Sequence, residues 1–279
     1  MEIKAQDVKS LREKTGAGMM DCKKALVETQ GNFAAAEKRL KEMGLAAAAK
    51  RDSKAANEGR VYSKVGGDKC VLLEIGSETD FVAKNDDFIK LGETLIDKVY
   101  NENITSATEA MTSMVDDIRA KIKENIQLKR FELIKLEANE IAKDYIHGEG
   151  RIGVIVKLKA EDASKKNDPK ISELAFDLAM HIAAFAPLYL DEAAVDPTYL
   201  KEQEEIFNKQ AENLGKPANV LKGIVQGKIK KHLAEICFVD QKFVKDDKLT
   251  VAQVVSNLGK ELGTTLSISG YTYYKLGAE

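Results

Sequence analysis

The feature that most constrains this chain is an order of elements that occurs twice. A glycine–arginine pair opens a β-branched run, and an amphipathic helical pattern follows. The first instance is 59-GRVYSKV-65 with 72-LLEIGS-77, followed by Phe88, Leu91, Leu95 and Val99 at helical spacing. The second is 150-GRIGVIVKL-158, followed by 171-ISELAFDLAMHIAAFAP-187. Strands that each hand over to a helix predict an α+β chain with two subdomains that repeat each other weakly. Within the first, 60-RVYSKVGGDKCVLLEIGS-77 has two apolar runs around Gly66-Gly67-Asp68 and predicts a β-hairpin.

Three further segments stand outside that repeat. Residues 1–45 predict three short helices, broken at 15-TGAG-18, with Gly31 as a stop and Asn32 as a cap. Val8, Leu11 and Arg12 lie on the first, Met19, Met20, Cys22, Ala25 and Leu26 on the second. Phe33, Ala36, Leu40 and Met43 line the third, which is expected to end at Gly44. Residues 46–59 read as a linker. A helix is expected over roughly 105–131 from Met111, Met114, Ile118, Ile122 and Ile126. The charged run 197–215 and the basic run 219–236, joined at 216-KPA-218, predict a projecting antiparallel helical hairpin with one narrow seam. Residues 236–244, 250–262 and 264–276 are expected to complete the second sheet. The boundaries are set at 1–52, 53–142, 143–190 with 235–279, and 191–234.

The 279 residues carry 43 basic and 45 acidic side chains, a net charge of −2. That balance argues against RNA as a main partner, since phosphate binding draws on a basic surplus. Cys22, Cys70 and Cys237 match neither a zinc site nor a disulfide framework and fit a reducing, cytoplasmic setting. The N-terminal segment has no apolar core of a leader peptide, and no run reaches membrane-spanning length. His147, His181 and His232 show no metal spacing, and no nucleophile elbow occurs. Neither GxxxxGK[ST] nor GxGxxG appears, so the chain is not expected to hold a nucleotide directly. Asp80, Asp86 and Asp87 could suggest a metal cluster, but 85-NDD-87 is better read as a helix cap with acidic residues in the first turn. No metal, cofactor or catalytic residue is therefore expected, and a binding protein is the sensible class.

Within that class, 79-TDFV-82 stands out. Phe81 is either the first core residue of the helix ahead or a side chain held out for a partner, and spacing leaves both open. Of Met19 and Met20, one is expected to be buried and the other to be an exposed contact. His147, in a glycine-rich turn, is either solvated or a contact.

The sequences 11-LREKTGAGMMDCKKAL-26 and 79-TDFVAKN-85, supported by 124-ENIQLKR-130, 147-HGEGRIGV-154, 180-MHIAAF-185 and 215-GKP-217, resemble the bacterial elongation factor Ts family over nearly the whole chain. The resemblance implies a ubiquitin-associated-like N-terminal module, a core of two related α+β subdomains and an inserted coiled-coil hairpin. It implies a role in protein biosynthesis, as guanine-nucleotide exchange factor for translation elongation factor Tu, with no covalent chemistry. Thr79, Asp80, Phe81 and Val82 would be the segment that intrudes beside the partner's magnesium site. Arg12, Met19 and Met20 would meet a helix of its G domain, Ile122 would touch it near the intruding segment, and His147 would lie on the surface facing its third domain. In the family the hairpin is associated with self-association or further partners, and the sequence leaves both open. Some members continue into a further helix that contacts the partner; this sequence ends at 276-LGAE-279, a departure from that pattern.

Overall fold

The computed structural model describes residues 3–15, 17–49, 54–212 and 217–278. It is an α+β fold. Strands β1 (Glu58–Gly66) and β2 (Lys69–Ser77) form a hairpin around Gly67-Asp68, and β3 (Gln127–Lys135) pairs with the other edge of β2. A second antiparallel sheet takes β4 (Glu140–His147), β5 (Ile152–Ala160) and β8 (Leu266–Lys275), in that order.

Strand β2 is buried along nearly its whole length, which explains its unbroken apolar run. Val71, Leu73 and Ile75 point to helices α5 (Asp86–Glu102) and α6 (Glu109–Ile122), where Phe88, Leu91, Leu95, Val99 and Met111 close one core. Cys70 and Leu72 point the other way, to Val61, Ile155 and Tyr274. The two sheets therefore share a thin core. Gly153 permits the approach: a Cβ there would lie 2.4 Å from a methyl of Val61. Helices α7 (Pro169–Phe185) and α10 (Val251–Leu262) cover the outer face of the second sheet. On the inner side Glu74, almost fully buried, pairs with Arg130 at 2.8 Å and accepts the Gly277 N–H at 3.1 Å. Arg130 also lies over the Tyr274 ring. The last strand is thus tied to the first sheet.

Helices α1 (Ala5–Thr15), α2 (Met19–Glu28) and α3 (Phe33–Ala49) surround a small core of Val8, Leu11, Cys22, Leu26 and Ala36. The Asn32 side chain accepts the Ala35 N–H, as a cap should. Of the expected break at 15-TGAG-18, Gly16 lies outside the described residues. Gly44 does not end α3, which continues to Ala49. Its role is packing, because a Cβ at Gly44 would sit 2.7 Å from Cβ of Ala120 on α6. The linker expected over 46–59 is helical at its start, has 50–53 outside the described residues, and passes into β1 at Glu58.

The helix expected over 105–131 is shorter. It begins at the Thr108 cap and stops at Lys123, which turns left-handed at φ +67°. Residues 127–135 form β3 instead. Pairing with β2 shifts between Glu74 and Ile75, leaving Lys129 as an extra residue. The exposed positions of β3 are Lys129, Glu132 and Lys135, a three-residue spacing that imitates a helix. Strand β4 was not expected; His147 is its last residue, ahead of the Gly148–Gly150 turn. The 142/143 boundary falls inside it. Segment 236–244 does not join the second sheet: after a 3-10 turn, β6 (Lys242–Phe243) pairs only with β7 (Asp246–Thr250). Helices α8 (Pro197–Glu212) and α9 (Ala218–Ile236) pack antiparallel through few buried side chains, among them Ala211, Val225 and Leu233. Lys216 of the expected turn lies outside the described residues.

Candidate partner-binding surface

Strand β2 delivers the chain to a single helical turn, α4 (Asp80–Ala83). Thr79 caps it, its hydroxyl accepting the Val82 N–H at 3.4 Å. One turn of helix presents residues to opposite sides. Val82 and Ala83 enter the core beneath, and Phe81 faces outward, 82% exposed. Asn85 caps α5 immediately afterwards through the Asp87 N–H, so the segment cannot rotate to hide the ring without losing that cap. Leaving a Phe in water forgoes about 1.5–3 kcal/mol of burial.

The turn is held from behind. Glu124 accepts the Thr79 hydroxyl at 2.8 Å and the Thr79 N–H at 3.1 Å. Asn125, fully buried, donates its backbone N–H to Glu78 at 2.7 Å and its side-chain amide to the Lys54 carbonyl at 2.7 Å. The Asn125 side-chain oxygen accepts from Arg119 at 2.7 Å. These groups lie at the end of α6 and just beyond it. The same helix end carries Ile122, half-buried against the first core. It also receives the N-terminal helices through Lys123–Asp21 at 2.8 Å and Lys41–Asp117 at 2.7 Å.

On the N-terminal helices Arg12 is exposed. Met19 and Met20 are both exposed, at 43% and 76%, which corrects the expectation that one is buried. Cys22, Ala25 and Leu26 alone fill the inward face of α2, so its first turn projects beyond the small core. His147 is exposed, with Nδ1 3.0 Å from the Tyr145 hydroxyl. The turn after it lies close to α4: Asp80, Ala83 and Lys84 line one small cleft with Gly148, Glu149 and Arg151.

Nothing in this arrangement resembles a reaction centre. Asp80 pairs with Lys84 and Asp87 with Lys121, so these carboxylates do not converge on a cation. Among the described residues no group of three or more His, Cys, Asp or Glu is placed to hold a metal ion. All three cysteines are buried; burial pushes the Cys70 thiol up to about 12 and Cys237 up to about 11, far from nucleophilic thiolates. His181 is fully buried between Gln241 and the Val244 N–H. No helix of the described residues is long and apolar enough to cross a membrane.

Residues 78–278 match the family profile described as "Elongation factor TS". The chain is 47% identical over 278 residues to elongation factor Ts of Borrelia hermsii, covering 99% of this chain and 100% of that protein. The chain belongs to the elongation factor Ts family. It is 48% identical to the Borreliella burgdorferi member over 276 residues and 47% identical to the Treponema denticola member over 277, covering 99% of each chain in both cases. Membership makes this a nucleotide exchange factor for elongation factor Tu in the general sense, and not a catalyst of covalent chemistry.

Glu124 is not among the contact residues that the sequence of this family member suggests. The motif 124-ENIQLKR-130 was visible, but its contact with Thr79 spans 45 residues of chain and leaves no periodic trace. Phe185, within 180-MHIAAF-185, ends α7 and Leu188 follows it; both are exposed, and neither is among the contacts the sequence suggests. Phe185 is in register with buried Ile182, but the helix ends at it.

Proposed function

We propose that this chain binds the GDP form of elongation factor Tu and inserts Thr79 to Val82 beside its magnesium site, so that GDP leaves and GTP can enter. The observation that carries this reading is Phe81, 82% exposed on a turn whose next two residues are buried. Magnesium tolerates little departure from octahedral geometry, so a small displacement of its ligands weakens it sharply. The diphosphate then loses its main counter-charge. Burying Phe81 in the partner yields about 1.5–3 kcal/mol, or about 10- to 100-fold in release. Further acceleration draws on Arg12, Met19, Met20, Ile122 and His147 as additional contacts, with two distant grips supplying leverage.

In this reading residues 1–52 form a ubiquitin-associated-like module, 53–142 and 143–190 with 235–279 form two related subdomains, and 191–234 is an inserted coiled coil. The shared order of two paired strands, helices and a third strand supports the relation between the subdomains. In this reading the chain works in the cytoplasm, where translation runs.

Linkage supplies the test. If the chain weakens nucleotide binding by some factor, nucleotide weakens the chain's binding by the same factor. Titration calorimetry with nucleotide-free elongation factor Tu is expected to give a tight complex that added GDP dissociates. Met20→Ala is expected to weaken the complex about tenfold, the equivalent of ~1.4 kcal/mol for a buried apolar anchor. A complex indifferent to GDP would overturn the reading.

A further inference from the structure

We infer that Glu124 is the positioning residue of the intruding segment, holding Phe81 at a fixed height before the partner arrives. This inference rests on the reading of Phe81 as the intruding side chain. Phe81 stands between two anchors, Thr79 on one side and buried Val82 on the other. The second is ordinary core packing. The first is made mainly by Glu124, through both carboxylate oxygens, to the hydroxyl and the backbone N–H of Thr79; the Ser77 hydroxyl adds one bond, to the Thr79 carbonyl at 2.9 Å.

Neither Glu124 bond is needed to hold the neighbouring elements. Strand β2 is paired on both edges up to Gly76, and α5 has its own cap at Asn85. What Glu124 fixes is the angle at which the chain leaves the strand. Its own base is rigid. It follows the Lys123 turn that ends α6 and precedes Asn125, which is buried and bonded through its backbone and its side chain. A side chain held in its bound geometry loses less entropy on association and transmits more of its contact energy to the partner. Without Glu124 the turn keeps Phe81 exposed but lets it swing, so the ring reaches the partner without displacing anything.

Three substitutions separate geometry from charge. Glu124→Gln keeps both contacts, its oxygen accepting the Thr79 N–H and its amide donating to the hydroxyl. Glu124→Asp keeps the charge but falls one methylene short. Glu124→Ala loses both. In the free protein, amide hydrogen exchange at Thr79 and Val82 is expected to speed up about tenfold in the Ala and Asp variants and to stay near wild type in Gln. In GDP release from elongation factor Tu, the Ala and Asp variants are expected to lower the maximal rate about tenfold, with little change in the half-saturating concentration. Glu124→Gln restores it, and Glu124→Ala adds little in a Phe81→Ala background. Retention by Asp with loss in Gln would make Glu124 a charge read by the partner and overturn the inference, as would unchanged amide protection in the Ala variant. If wild type accelerates nothing, the exchange reading fails, and the amide measurement alone decides the role of Glu124.

Discussion

Phe81 and His181 show opposite uses of a ring: local spacing leaves the first open and puts the second on an apolar helix face. Phe81 lies in a single turn, too short for a period, and its neighbours Val82 and Ala83 take the only inward positions. His181 follows the apolar face of α7 and is buried. Its Nδ1 accepts the Val244 N–H at 3.2 Å and its Nε2 bonds Gln241 at 2.9 Å, which in turn donates to the Glu235 carbonyl. That arrangement requires the neutral ring. Burial lowers its pKa from the ordinary 6.5, against a smaller opposing effect of the Gln241 bond. The unfolded chain therefore takes up the proton first. Stability from the neutral ring is complete above about pH 6.5 and is lost as pH falls from there towards the folded-state value. The melting temperature is expected to drop between about pH 7.5 and about pH 5.5, and to drop less in His181→Gln, whose side chain does not titrate. Equal drops in both proteins would contradict this.

Among the elements, α6 does the most. One side closes the first core, Ala120 receives α3, and its far end leads to Glu124. The closeness of α3 and α6 depends on Gly44. A Gly44→Val side chain meets Ala120 where even a Cβ would be 2.7 Å away. The helices must separate, at a cost of about 1–3 kcal/mol. Hydrogen exchange is expected to quicken in α1, α2 and α3 while β2 and α5 keep their protection. Uniform quickening would mean that the N-terminal helices and the core unfold together. Sequence patterning read the ends of this helix unevenly. Thr108 is an ordinary cap, but Ile118, Ile122 and Ile126 continue at helical spacing past Lys123, where the chain turns into β3. The exposed residues Lys129, Glu132 and Lys135 are then spaced by three. Both effects hid β3, and with it the approach to β4.

At the scale of the whole molecule, the three N-terminal helices, the strand-to-helix repeat and the charged hairpin were legible because each carries its own local pattern. The stacking of two sheets on Val61, Leu72 and Ile155, the tie from Glu74 and Arg130 to the last strand, and the grip of Glu124 on Thr79 were not. These join residues far apart in the chain. The motif at 79-TDFV-82 identified the candidate site; its exposure emerged only from packing.

Release of a fluorescent GDP from elongation factor Tu, in excess unlabelled GDP, tests the central claim most directly. Catalytic amounts of wild type are expected to accelerate release. Phe81→Ala is expected to melt like wild type, since the ring is 82% exposed, and to accelerate release at least about tenfold less. Equal acceleration by the two proteins would contradict the account.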